Sequence, residues 1–282
     1  MRILIQLCLI ALSATAVSAL DVKGFPPTRE VVYKEVDGHA LKLQIFEPEG
    51  HKASDQRPAI VFFFGGGWNS GSPSQFHPHC AYLASRGMVA MSADYRVQSR
   101  QKTTPFECVK DGKSCMRYIR SHAAELGIDP DKLAIGGGSA GGHVAAAVAT
   151  VPGLNEKGED KSISTGACAM VLFNPVYNNG PGEYGHKRVE ERWQEISPAH
   201  NIRKGVPPAI VFFGSKDPLV SDATMKAFQQ AMKDVGSRSD LHIYDGRPHG
   251  FFNHGKGDGK DYLDTMVKTD AFLVDLGLLK AK

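Results

Sequence analysis

The sequence predicts an α/β domain on one mostly parallel, eight-stranded sheet with helices on both faces. Six short apolar runs, "AIVFFF", "GMVAMSAD", "KLAIGG", "CAMVLF", "AIVFFG" and "DLHIYD", are continuous rather than alternating. That pattern suits parallel strands buried on both faces. Helical segments separate most of the runs, and strand–helix alternation of this length implies right-handed crossovers and a helix-covered sheet. Two alternating strands ahead of the runs complete the eight.

In chain order, residues 1–19, "MRILIQLCLIALSATAVSA", combine one early Arg, an apolar run and a small-residue ending at Val17-Ser18-Ala19. This is the pattern of a secretory signal peptide; a buried first helix is the alternative. The run is too short for a membrane span of ~20 residues. Export makes the remaining chain, 20–282, a secreted or periplasmic protein without stable membrane insertion, and its length suits a single α/β domain. "REVVYKEV" and "ALKLQIFEP" then alternate across Asp37-Gly38, a hairpin signal. The clearest helical segments are 105–126, the stretch "SAGGHVAAAVA", "SDATMKAFQQAMKDVG" and "DYLDTMVKTDAFLVDLG". Residues 174–198, rich in Gly, Asn and Tyr, are expected to wander over the carboxyl edge of the sheet, where open α/β sheets bind ligands.

Composition excludes several classes. With 42% hydrophobic and 22% charged residues, the chain has neither a disordered nor a membrane-bundle profile. A net charge of +3 without a Lys/Arg cluster gives no footprint for nucleic acid. Four cysteines remain after the leader: Cys80, Cys108, Cys115 and Cys168. None forms a CxxC pair, so no metal or redox site is expected, and nothing calls for a cofactor. Cys108 and Cys115 are about two turns apart on one predicted helix, ~10 Å along its axis, which is beyond disulfide reach. Free thiols and bonds between different elements both stay open.

The chemistry concentrates at "AIGGGSAGGHVAA". Residues 137–141 spell Gly-Gly-Ser-Ala-Gly after a strand and before a helix, the setting of the G-x-S-x-G nucleophile elbow. The same stretch matches G-x-G-x-x-G through Gly136, Gly138 and Gly141. A dinucleotide site, however, belongs in the first strand–helix turn and needs an acidic residue ~20 positions on at a strand end. Glu159 and Asp160 fall in a loop instead. A plain structural glycine turn is the third reading.

Serine needs a base, and the base an orienting acid. The chain order Ser, then Asp or Glu, then His selects Asp217, in "SKDPLV" after one apolar run, and His249, in "GRPHGFF" after the next. His254 is the fallback base; His242 lies in a strand, and His143 is one turn into the helix, a packing position. Asp222 is expected to cap the following helix. The run Gly65-Gly66-Gly67 after the strand at 59–64 sits where an oxyanion loop belongs, so the amides of Gly66, Gly67 and Ala140 are the candidate donors.

Together "GGGW", "ADYR", "GGSAGGH", "SKDPLV" and "PHGFF", in this order, resemble the α/β-hydrolase esterases of the acetyl-esterase and hormone-sensitive-lipase-like group. The resemblance covers nearly all of residues 20–282. It implies an α/β-hydrolase fold without a large cap and a serine carboxylesterase activity, with Ser139, Asp217 and His249 catalytic and Gly66, Gly67 and Ala140 forming the oxyanion hole. Phe64 stands where family members often have His before the glycines, which removes any polar support that His gives the loop.

The expected reaction is hydrolysis of short-acyl, above all acetyl, esters on small molecules or on polysaccharides. The excursion carries Asn178, Asn179, Glu183, His186, Lys187, Arg188, Glu190, Glu191 and Arg192, a poor cover for a long apolar tail. Trp68, Phe251 and Phe252 are bulky enough to narrow an acyl pocket, or else belong to the core. The alternatives are a prolyl-oligopeptidase-like peptidase, whose usual gating domain is missing, and a binding protein that has lost catalysis.

Overall fold

The computed structural model describes residues 24–282, so the signal-peptide reading of 1–19 lies outside the described residues. Asp37 and Gly38, at φ 51° and 74°, turn β1 (Arg29–Val36) back onto β2 (His39–Phe46) as an antiparallel hairpin. The apolar runs then form β3 (Arg57–Phe63), β4 (Val89–Ala93), β5 (Ile128–Gly138), β6 (Met170–Phe173), β7 (Ala209–Gly214) and β8 (Ser239–Tyr244). The sheet order is β1-β2-β4-β3-β5-β6-β7-β8. The β1/β2 and β2/β4 pairs are antiparallel, and every pair from β4/β3 to β7/β8 is parallel.

The lack of alternation in the runs has a plain cause: both faces are core. On β3, Val61 and Phe63 enter one hydrophobic cluster while Ile60 and Phe62 enter the other; on β7, Val211 and Phe213 oppose Ile210 and Phe212 in the same way. The first cluster takes in α3 (Pro105–Ser121), α4 (Ala140–Thr150) and α5 (Asp222–Asp234) through Cys115, Val144 and Phe228. The second takes in α1 (His77–Ser85) and α6 (Lys260–Asp275) through Leu83 and Phe272.

Local chemistry sets the helix ends. Thr104 and Glu107 form a capping box with Pro105 in the first turn of α3. At α5 the cap is Ser221, whose Oγ accepts from the Thr224 amide at 3.1 Å, and Asp222, expected as the cap, is the first helical residue. Helix α3 stops at Ser121, short of the predicted 126. Two helices were not expected: α1, because "HPHCAYLAS" has almost no apolar periodicity, and the one-turn α2 (Gln98–Gln101).

A buried ionic cluster ties this frame together. Asp111 on α3 is fully buried and accepts from Arg96 Nε at 2.9 Å and Nη2 at 2.8 Å, from the Arg96 amide at 2.9 Å and from Lys34 Nζ at 2.6 Å. Burial alone would raise the Glu156 carboxyl, but Lys34 and Arg96 outweigh it and hold that group at about 2. The four cysteines among the described residues are free thiols, and the possibility of bonds between elements is not realised there.

Candidate active site

Three parallel strands of the same half of the sheet, β5, β7 and β8, with β6 between the first two, deliver the predicted residues to one edge. Ser139 follows β5, Asp217 follows β7 and His249 follows β8. The Ser139 amide donates to the Phe173 carbonyl at 2.9 Å, and the Lys216 amide to the Arg247 carbonyl at 3.0 Å. These bonds fix the loop carrying Ser139 to β6 and the loop carrying Asp217 to the one carrying His249.

Ser139 sits at φ 54°, ψ −121° as the N-cap of α4, a backbone conformation that non-glycine residues adopt only when their surroundings enforce it. The enforcing contacts explain the glycine spacing. A Cβ on Gly141 would lie 2.0 Å from the Phe63 carbonyl oxygen, and one on Gly137 would lie 2.4 Å from the Gly141 oxygen. Only glycine at both places lets the turn press against β3.

His249 Nε2 lies 2.8 Å from Ser139 Oγ, and Nδ1 lies 2.7 Å from Asp217 Oδ2. A carboxylate only accepts, so Nδ1 carries the proton and Nε2 is free to accept from the serine hydroxyl. The Asp217 side chain is fully buried, and its second oxygen accepts from the Leu219 amide at 2.9 Å. His254 packs edge-on against Phe25 and Tyr262, so the fallback base is not needed to complete the chain. His242 stacks on Phe212 within β8.

Gly66 and Gly67 line the same cavity of about 530 Å³ as Ser139 and His249, together with Gln75, Asn174, Tyr184 and Phe252. Ala140 is fully buried at the first position of α4, directly after the serine. Phe64 replaces polar support by packing: its ring stacks on Tyr95 at 4.2 Å, and the Tyr95 hydroxyl donates to the Phe64 carbonyl at 2.6 Å. Polar support comes from elsewhere. Gln75 Oε1 accepts from the Gly65 amide at 2.6 Å while its Nε2 donates to Asn253 Oδ1 at 2.8 Å, and Asn253 Nδ2 donates to the Gly250 carbonyl at 2.8 Å. The glycine loop and the histidine loop are thereby joined.

His143 supplies a second brace. An indole N–H only donates, so the 3.2 Å contact from Trp68 Nε1 makes His143 Nδ1 the acceptor, and Nε2 donates to the Ile196 carbonyl at 3.1 Å. Burial lowers this imidazole to about 4, keeping it neutral as the pairing needs. Sequence reasoning missed Gln75, Asn253 and Asn174. Asn174 accepts the Gly250 amide at 2.9 Å and places Nδ2 3.3 Å from His249 Nε2; its only signal was a position directly after an apolar run. Trp68 and Phe251 are core residues, whereas Phe252 is both buried and part of the cavity wall.

Among the described residues, no helix is long and apolar enough to cross a membrane, and no group of three or more His, Cys, Asp or Glu is placed to hold a metal ion.

A sheet in this order, with a serine, histidine and acid chained at its carboxyl edge, defines a serine hydrolase of the α/β-hydrolase fold. The BD-FAE family model matches residues 43–171. Carboxylesterase NlhH of Mycobacterium tuberculosis is 33% identical over 224 residues, covering 71% of this chain and 68% of that protein. Probable isoprenylcysteine alpha-carbonyl methylesterase ICMEL1 of Arabidopsis thaliana is 25% identical over 248 residues, covering 78% of this chain. The chain spans about half the length of several such relatives, 50% in that case. Among solved structures, the apo form of Thermogutta terrifontis esterase 2 superposes with a TM-score of 0.89 at 48% identity, covering 92% of this chain and 98% of that one. The same esterase has been solved with propionate and with butyrate bound. The chain belongs to the hormone-sensitive-lipase-like carboxylesterases, serine hydrolases of carboxylic esters.

Proposed function

We propose that this protein is an exported carboxylesterase that hydrolyses short-acyl esters, acetyl to butyryl, through an acyl-serine intermediate on Ser139. The observation that carries this reading is the hydrogen-bonded chain from Ser139 through His249 to Asp217, opening into the cavity. Ser139 Oγ attacks the ester carbonyl carbon as its proton passes to His249 Nε2. The oxygen of the tetrahedral intermediate takes its negative charge among the amides of Gly66, Gly67 and Ala140. Asp217 holds the imidazolium in place, and His249 returns the proton to the departing alcohol. A water then repeats the sequence on the acyl-serine and releases the acid.

The acyl preference rests on the bound propionate and butyrate of the Thermogutta relative and on the polar excursion above the cavity. Export rests on the pattern of residues 1–19, and an exported enzyme meets acetylated polysaccharides as well as small esters. The test is a 4-nitrophenyl ester series from acetyl to palmitoyl. The reading expects the highest kcat/KM between acetyl and butyryl and a loss of at least about tenfold at palmitoyl: methylenes left in water forgo roughly 0.8 kcal/mol each and so add no binding, and Phe252 in the cavity wall obstructs a long chain. A rising trend along the series contradicts it.

A further inference from the structure

Beside the glycine loop stands an exposed cation, Arg188, with no ion-pair partner among the described residues. The Arg188 guanidinium lies 5.6 Å from the Trp68 ring and 5.9 Å from the Tyr184 ring, two rings stacked on each other at 5.8 Å. Stacking on aromatic faces leaves the edge of a guanidinium, with its fork of N–H donors, free for a planar anion. Arg192, four residues on, is paired with Glu195 at 2.6 Å, whereas no carboxylate oxygen among the described residues lies within 4.0 Å of Arg188.

Its position bears on the site. A Cβ built on Gly67 would stand 2.8 Å from the Tyr184 hydroxyl and 3.4 Å from Arg188 Nη1. Gly67 and Tyr184 line the cavity of Ser139 and His249. Trp68, next to Gly67 in the chain, and Arg188 line a second cavity of about 450 Å³ with Asn69, Gln98 and Thr103. A ligand reaching from Ser139 across Gly67 therefore meets a guanidinium and the Tyr184 hydroxyl, both able to donate. A carboxylate is the planar acceptor such a donor set fits.

Building on the esterase reading, we propose that Arg188, with the Tyr184 hydroxyl, forms a subsite for a carboxylate carried by the ester substrate, so that the enzyme prefers half-esters and other acidic esters to neutral ones of the same size. The carboxylate belongs either to the acid or to the alcohol part, and two matched pairs separate these cases. 4-Nitrophenyl hemisuccinate against 4-nitrophenyl butyrate places it on the acid side; 4-acetoxybenzoate against its methyl ester places it on the alcohol side. In at least one pair, the acidic-to-neutral ratio of kcat/KM is expected to fall about tenfold in Arg188→Gln, to fall further in Arg188→Glu and to be largely restored in Arg188→Lys. Ratios that stay within threefold of wild type in both pairs overturn the proposal. A binding arm keeps it separate from catalysis: Ser139→Ala is titrated by calorimetry with each ester, with and without Arg188→Gln. If the wild type hydrolyses none of the esters while acidic ones still bind Ser139→Ala through Arg188, the esterase reading fails and the subsite stands. Equal Kd values for the acidic and neutral members of both pairs remove the subsite.

Discussion

The indole of Trp68 donates to Nδ1 of His143 across 3.2 Å, joining the glycine loop to the helix that begins at the candidate nucleophile. Both side chains are almost wholly buried. The contact requires an unprotonated Nδ1, so it links the shape of the loop to acidity.

That linkage predicts an acid limb in stability. Burial lowers His143 to about 4 and, with a smaller push from His254, lowers His79 to about 3. Both folded-state values lie below the ordinary 6.5, so the unfolded chain takes up protons first as pH falls. Stability is then level above about pH 6.5 and declines toward pH 4, by about 1.4 kcal/mol per unit for each group. Urea midpoints between pH 8 and 4 measure this. His79→Leu, which removes an ionisable ring from among Phe62, Phe76, Phe173, Phe252 and Tyr262, makes the decline shallower. Parallel profiles for variant and wild type would show that His79 plays no part.

Removing Asp111 takes from the Arg96 guanidinium, whose side chain is only 4% exposed, the partner that meets both its Nε and its Nη2, and leaves it with Glu156 at 2.7 Å and the exposed Asp37 at 3.2 Å. Asp111→Ala is expected to lose about 2–3 kcal/mol, less than the ~3–5 kcal/mol of a buried charge left wholly unpaired, because Glu156 still faces both Arg96 and Lys34. Chemical denaturation reads the loss directly. A change below about 1 kcal/mol would mean that Glu156 and water suffice for Lys34 and Arg96.

Gln75 joins the glycine loop to the histidine loop through both ends of one amide. Gln75→Leu removes both bonds in a side chain of similar length. With the loops unpinned, kcat is expected to drop by about tenfold to a hundredfold, the scale on which sub-ångström to 1 Å misplacement acts, with little change in KM. A rise in KM at constant kcat would assign Gln75 to substrate binding instead.

The parts of the molecule legible in the sequence are those with a one-dimensional signature. Strands buried on both faces write continuous apolar runs, and each of Ser139, Asp217 and His249 stands a few residues beyond such a run, so their convergence follows once the strands lie parallel. Helix α1 left no trace because its apolar positions do not repeat at helical spacing. The braces were illegible for a different reason. Gln75 and Asn253 are separated by 178 positions and Trp68 and His143 by 75, and nothing local to either end distinguishes a pinned amide or ring from an ordinary one. The replacement of the family's His by Phe64 was visible, but its compensation by Tyr95, Gln75 and His143 needed three dimensions.

The central claim, that Ser139 is the nucleophile, is tested most directly by intact-mass measurement and peptide mapping after treatment with a fluorophosphonate. The account predicts one adduct per chain, on the peptide containing Ser139, in step with loss of esterase activity, and neither adduct nor turnover in Ser139→Ala. An adduct on a different serine, or wild-type turnover by Ser139→Ala, would contradict it.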